Sequence, residues 1–185
     1  MSKKPSYLGL LNAIALGEGR AHRYLRAWME KTPDPEVRQV LATVAIREGE
    51  HAMAFEKRLC ELGYSLLERP DPSFEKTLDI VTSPRSDLEK FEALGYGKRD
   101  RDADDLFSGI FKDRTIDIQT GELLGRYIAE ERDSGRRLQA CYEALRERTN
   151  AASGNGSAEL CEIRDGLAAL AHTVEKLGEE LARLA

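Results

Sequence analysis

The sequence predicts an all-α protein, a four-helix bundle of two antiparallel hairpins joined by a long, partly helical crossover. About a third of the 185 residues are charged and only six are proline, which is typical of helical rather than β-rich chains. Apolar residues recur every three to four positions along four long segments, and no strand-like alternation extends beyond a few residues. Short connections within each pair of segments, and one of about fifty residues between the pairs, give the two hairpins.

The first hairpin has clear end signals. We predict its first helix over 6–31, because Thr32-Pro33-Asp34-Pro35 stops one helix and starts another. The second helix is predicted over 35–62. Pro35 suits a first helical turn, and Gly63 is the residue type that closes a helix.

The crossover and the second hairpin follow. Residues 64–115 are predicted to form an irregular connection with short helical pieces near 74–81, 87–94 and 103–111. A third helix is predicted over 118–148 and a fourth over 158–185. Between them, 150–157 is rich in Gly, Ala, Ser and Asn and is predicted to be a turn. The whole chain, 1–185, is predicted to be a single domain.

The charge and composition of the chain limit the classes of binding partner that we expect. With 28 Lys and Arg against 33 Asp and Glu, the net charge is −5, so we expect no nucleic-acid or membrane partner. No apolar run approaches the ~18 residues of a membrane span. The three cysteines are far apart, which fits a reducing cytoplasm. The apolar heptad of the fourth helix has two interpretations, burial in its own bundle or the seam of a homodimer.

Acidic residues interrupt the apolar stripes of three helices. Glu18, Glu48 and Glu131 each lie near the middle of a stripe, and His51 follows Glu48 by one turn. Counting outward from the turn near 33–34 brings Glu18 level with Glu48. Buried carboxylates cost several kcal/mol each unless they are paired. The pattern therefore predicts a metal site, and mixed carboxylate and imidazole ligands suit iron, manganese or zinc.

These residues resemble a known superfamily. A Glu on helix one, Glu-x-x-His on helix two and a Glu on helix three resemble ferritin-like proteins. The segments Gly17-Glu18-Gly19-Arg20-Ala21 and Glu48-Gly49-Glu50-His51 look especially like rubrerythrin. The resemblance implies one or two non-haem iron ions, and oxidase or peroxidase chemistry on dioxygen or peroxide. It also implies a terminal carboxylate at Glu18, bridging carboxylates at Glu48 and Glu131, and a nitrogen ligand at His51.

The predicted fourth helix departs from that pattern. Ferritin-like proteins place a further carboxylate there, and rubrerythrins a second Glu-x-x-His. Counting back across the 150–157 turn sets Glu131 opposite about residue 176, which nominates Glu175 as a further metal ligand; Gly178 occupies the place of the second His. No Cys-x-x-Cys pair occurs, so the rubredoxin-type iron site of full rubrerythrins is not expected.

A second interpretation stays open. The Glu and His residues could form a polar layer in which hydrogen bonds and the guanidinium groups of Arg47 and Arg164 take the place of a metal. The protein would then be a non-catalytic helical-bundle interaction or scaffold protein that has lost its metal site.

Overall fold

All regular structure in the described residues is helical. The computed structural model describes residues 4–98 and 109–184, and from 153 onward it describes the backbone and, of the side chains, those of Arg164 and Leu167. Its helices are α1 (Leu8–Lys31), α2 (Pro35–Glu61), α3 (Pro72–Thr82), α4 (Asp87–Ala93), a single 3-10 turn (Ile110–Lys112) and α5 (Ile118–Leu184). The all-α prediction is confirmed. None of the described helices combines the length and apolar character needed to cross a membrane.

The ends of α1 and α2 agree with the sequence signals to within two residues. The Asp34 side chain caps α2 by accepting hydrogen bonds from the backbone N–H groups of Glu36 and Val37. At the other end, Gly63 adopts φ +83°. This allows the N–H of Tyr64 to bond the Leu59 carbonyl at 2.9 Å, which is the closing bond of a Schellman motif.

One apolar core joins α1, α2 and the first part of α5. Its residues come from the buried faces of these helices, so the apolar stripes of the three segments do pack against one another. The buried residues are Tyr7, Leu8, Leu11, Ile14, Ala15, Phe55, Leu59, Leu124, Tyr127 and Ile128. This packing fixes the rotation of each helix about its axis and therefore decides which polar side chains point inward.

Part of the crossover folds back on α1. α3 packs against α1, and α4 starts with a capping box between Ser86 and Glu89. The buried carboxylate of Asp87 anchors α4, because it accepts hydrogen bonds from Trp28 Nε1 at 2.6 Å and from the Thr32 hydroxyl. The predicted pieces near 74–81 and 87–94 correspond to α3 and α4. The third, 103–111, lies mostly outside the described residues, and its described end belongs to the 3-10 turn.

The predicted turn at 150–157 is wrong. The backbone is helical throughout Ile118–Leu184, so one helix replaces the two predicted over 118–148 and 158–185. The segment contains no proline, and each helical glycine costs only about 1 kcal/mol relative to alanine, which neighbouring alanines help to offset. The chain divides into two compact units, Met1–Glu143 and Ala144–Ala185. The candidate site lies entirely within the first.

Candidate metal centre

Four of the five predicted ligands meet inside the first unit. Glu18 comes from α1, Glu48 and His51 come from α2, and Glu131 comes from α5. One ligand atom from each lies within 4.8 Å of every other. The fifth predicted ligand, Glu175, has a side chain outside the described residues.

The imidazole of His51 stands at the centre of this group. Its Nδ1 lies 3.8 Å from Oε2 of Glu18, 3.8 Å from Oε2 of Glu48 and 3.4 Å from Oε1 of Glu131. Zinc–nitrogen and zinc–oxygen bonds of roughly 2.0–2.2 Å put tetrahedral ligand atoms about 3.3–3.6 Å apart. The observed spacing is thus close to that of a bound ion and needs only small side-chain movements.

Burial of the four side chains is unequal. Those of Glu48 and His51 are 5% exposed and that of Glu18 is 10% exposed, whereas that of Glu131 is 21% exposed. The cluster is therefore closed on the α1 and α2 sides and more open where α5 contributes Glu131.

Three of the inward-facing atoms have no hydrogen-bond partner. They are Oε2 of Glu18, Nδ1 of His51 and Oε1 of Glu131, and all three are buried. Buried polar atoms in folded proteins are almost always satisfied, so each exception needs an explanation. Three unsatisfied atoms directed at the same small volume are explained if that volume holds a cation.

Two further side chains hold the cluster in place. Nε2 of His51 lies 2.7 Å from Oε2 of Glu130. With Nε2 donating this bond, a neutral ring would present the lone pair of Nδ1 to a bound metal ion. The Tyr127 hydroxyl donates to Oε1 of Glu18 at 2.9 Å, which leaves the other oxygen of Glu18 facing inward.

Sequence reasoning missed both Glu130 and Tyr127. Tyr127 lies one helical turn before Glu131 on the buried side of α5, and its ring packs edge-on against His51 and Phe55. The signal available in the sequence was this spacing of four residues. Glu130 carried no comparable signal, because it lies off the apolar stripe.

Without a metal, Glu48 and His51 both hold protons at neutral pH. Burial raises the pKa of Glu48 to about 9; His51 opposes this rise, and the carboxylates of Glu18 and Glu131 add to it. Burial alone would lower the pKa of His51, but the surrounding carboxylates, that of Glu131 foremost, raise it to about 12. The metal-free cluster therefore carries an imidazolium and a neutral carboxylic acid.

Glu18 is the anion that this arrangement stabilises. Burial alone would raise the pKa of Glu18, but His51, Glu48 and the Tyr127 hydroxyl together lower it below its ordinary value. Burial and the charge of Glu18 raise the pKa of Tyr127 well above that of a free phenol. The tyrosine therefore stays protonated and remains a hydrogen-bond donor to Glu18.

The guanidinium group of Arg47 does not neutralise the cluster. Nη1 of Arg47 instead donates to the Glu130 carbonyl at 3.0 Å, to Asp133 at 3.0 Å and to the Ser134 hydroxyl at 3.1 Å. The side chain of Arg164 is exposed in the second unit. The second interpretation, a polar layer without metal, therefore has no support from Arg47, whose guanidinium group is engaged by Glu130, Asp133 and Ser134.

Gly49 makes room for a neighbour other than an ion. A Cβ on Gly49 would lie 2.8 Å from Nδ1 of His22, and that nitrogen bonds the Ala45 carbonyl. His22 thus packs across α2 at Gly49 and is not one of the four clustered residues.

Comparison with known proteins adds no relative. The chain matches no model of a protein family, no curated protein and no solved structure.

Proposed function

We propose that this protein is a ferritin-like metalloprotein that binds a non-haem transition metal, iron in particular, at Glu18, Glu48, His51 and Glu131. The observation that carries the proposal is the convergence of three buried, unsatisfied ligand atoms from three helices. In this proposal α1, α2 and the first part of α5 correspond to three helices of a ferritin-like bundle.

The chemistry of the donors favours a transition metal. Three carboxylates and one imidazole form a mixed oxygen and nitrogen set, which suits iron, manganese and zinc better than calcium or magnesium. The carboxylates would neutralise the charge of the ion, and Glu130 would fix the ring of His51. Bound iron would supply one-electron chemistry toward dioxygen or peroxide, and these are the small partners that we propose.

The protein residues have separable roles in this proposal. Glu48 and His51, the most buried, would hold the ion. Glu18, kept ionised and oriented by Tyr127, would supply a fixed negative charge. Glu131, the most exposed of the four, would border the position at which a small molecule reaches the ion.

Elemental analysis tests the proposal directly. Purified protein is stripped with a chelator, loaded with Fe(II) without oxygen, desalted and analysed for bound iron. We expect the wild type to retain iron and a Glu48→Ala/His51→Ala double variant to retain almost none. A Glu50→Ala variant is the matched control, because Glu50 is an exposed carboxylate on the same helix. If all three proteins retained the same amount of iron per chain, the proposal would be wrong.

One observation favours the second candidate, an interaction bundle without metal. The imidazolium of His51 and the proton on Glu48 already offset part of the cluster's charge. Thermal stability separates the two functions, because a metal that binds only the folded state must stabilise it. A melting temperature that is the same in chelator and in iron, manganese or zinc would favour the interaction protein.

A further inference from the structure

We propose that the cluster takes one metal ion per chain and not a pair of ions. This inference rests on the proposed metal-binding function and concerns the stoichiometry of the same site. It follows from the size of the cluster, from its number of donors, and from the group that occupies the neighbouring turn of α5.

The spread of the ligand atoms matches one ion. Ligands on opposite sides of a single ion are separated by about twice a metal–ligand bond, or about 4.4 Å. The four ligand atoms here lie within 4.8 Å of one another. Two ions in a paired site are themselves about 3.5–4 Å apart, so the outer ligands of such a site span roughly 7–8 Å.

The number of donors also fits one ion. Paired-metal sites in helical bundles use a Glu from each of two helices and a Glu-x-x-His from each of two others. In this chain α2 carries Glu48-x-x-His51, whereas the first part of α5 carries Glu131 with Ser134, and not a second histidine, one turn later. Among the described side chains, the cluster has one imidazole and three carboxylates.

The surroundings of Ser134 disfavour a second cation. Ser134 is buried, and its hydroxyl accepts a hydrogen bond from Arg47, which also binds Asp133. The turn of α5 that follows Glu131 is thus already in contact with a positive guanidinium group. A second ion bound beside it would be repelled.

Glu130 is not available as a replacement ligand. One of its oxygens, Oε2, contacts Nε2 of His51 at 2.7 Å, and the other accepts from Nε of Arg126 at 3.0 Å. Using Glu130 as a ligand would release the imidazole that the first ion requires.

Manganese tests the stoichiometry with two readouts. Chelator-stripped protein is titrated with Mn(II) without oxygen, bound metal is counted against protein, and electron paramagnetic resonance spectra are recorded at each addition. We expect saturation at one ion per chain, with the hyperfine pattern of isolated manganese at every loading. The Glu48→Ala/His51→Ala variant serves as the baseline for nonspecific binding.

The outcomes are distinguishable. Two ions per chain with a spin-coupled spectrum would overturn the single-ion inference but leave the proposed function intact. No binding above the baseline, with iron or zinc as well, would overturn both. An Asp133→Asn variant adds a check, since any second ion held near Ser134 would draw on that carboxylate. We expect this variant to keep the same count of one.

Discussion

Nε2 of His51 lies 2.7 Å from the Oε2 atom of Glu130, while Nδ1 of the same ring faces three other glutamates. The two nitrogens thus have different tasks. One is held by a carboxylate on α5, and the other is directed at the centre of the cluster. This division of the ring is the arrangement that metal-binding histidines use.

The first prediction concerns Glu130. The carboxylate of Glu130 orients His51 and makes its ring a more basic ligand. A Glu130→Gln variant removes this charge, so we expect metal affinity to fall by roughly 10–100-fold. Competition with a coloured chelator measures the affinity. Glu122→Gln, at an exposed position of α5, is the control. Equal affinity in the wild type and both variants would show that Glu130 does not act through the ring.

The second prediction concerns Tyr127. A Tyr127→Phe variant keeps the ring against His51 and Phe55 but removes the donor to Glu18. It leaves a buried carboxylate oxygen unpaired, so we expect a loss of about 1–3 kcal/mol in the unfolding free energy of the metal-free protein. Urea denaturation measures the loss. Tyr64→Phe, in the loop after α2, should change stability much less. A Tyr127→Phe variant as stable as the wild type would contradict the role of the hydroxyl.

The third prediction is a pH dependence of the metal-free protein. Folded Glu48 keeps its proton up to about pH 9, whereas an ordinary glutamate loses it near 4.5. Folded His51 keeps its charge up to about pH 12, against 6.5 for an ordinary histidine. The folded state therefore binds more protons than the unfolded state across this range. These two groups contribute stability that is lost as pH rises above about 5.

Thermal melts in chelator at pH 5.5, 7 and 8.5 measure this effect, and we expect the melting temperature to fall across the series. Metal must displace the same protons, so metal affinity is expected to rise with pH and protons to be released on binding. Calorimetry in two buffers of different ionisation enthalpy counts the protons. Stability that rises with pH in chelator would contradict the protonation assigned to Glu48 and His51.

The fourth prediction separates charge from structure at Glu48. Because glutamine has no proton to lose in the folded or the unfolded state, a Glu48→Gln variant in chelator is expected to match the wild type near pH 4.5. It should become progressively more stable than the wild type as pH rises from there to about 9, since only the wild type loses the stability of protonated Glu48 over that range. In the presence of metal the wild type should be the more stable of the two proteins, because the side-chain amide of glutamine is a poor metal ligand. Melting temperatures with and without metal give the comparison, with Glu50→Gln as the exposed control.

The fifth prediction tests the continuity of α5. Gly154 lies inside the helix, and the described glycines with positive φ are Gly63, Gly95 and Gly97. Gly154→Ala is therefore expected to increase helicity and to stabilise the helix by about 1 kcal/mol, whereas Gly154→Pro should cost about 3 kcal/mol. Circular dichroism and limited proteolysis report both. If proline were tolerated and alanine harmful, the segment would be a turn.

The sequence was most informative where a residue type by itself favours one local backbone structure. Asp34, Pro35 and Gly63 mark helix ends through local chemistry, and those ends were predicted closely. The inward positions of Glu18 and Glu48 also followed from helical periodicity, because a residue on an apolar stripe shares the burial of its neighbours.

Two features could not be predicted from the sequence. One depends on the free-energy difference between helix and turn at 150–157, and the other on how α5 is rotated about its axis relative to α2. The segment 150–157 has the composition of a turn, yet nothing in it forbids a helix, so composition alone gave the wrong answer. Glu130 contacts His51 across two helices. The stripe defines only which face of α5 is buried and not which residue at its edge reaches a particular ring nitrogen.

The uneven burial of the four cluster residues has a kinetic consequence. Glu48 and His51 lie deep, while Glu131 borders water. An ion that enters the cluster exchanges water oxygens for carboxylate oxygens, and an ion that leaves makes the reverse exchange. At Glu131 the ion can contact water and a carboxylate oxygen at the same time. Substitutions at Glu131 should therefore change the rates of metal uptake and release more than those at Glu48, whose main effect should be on how tightly the ion is held at equilibrium.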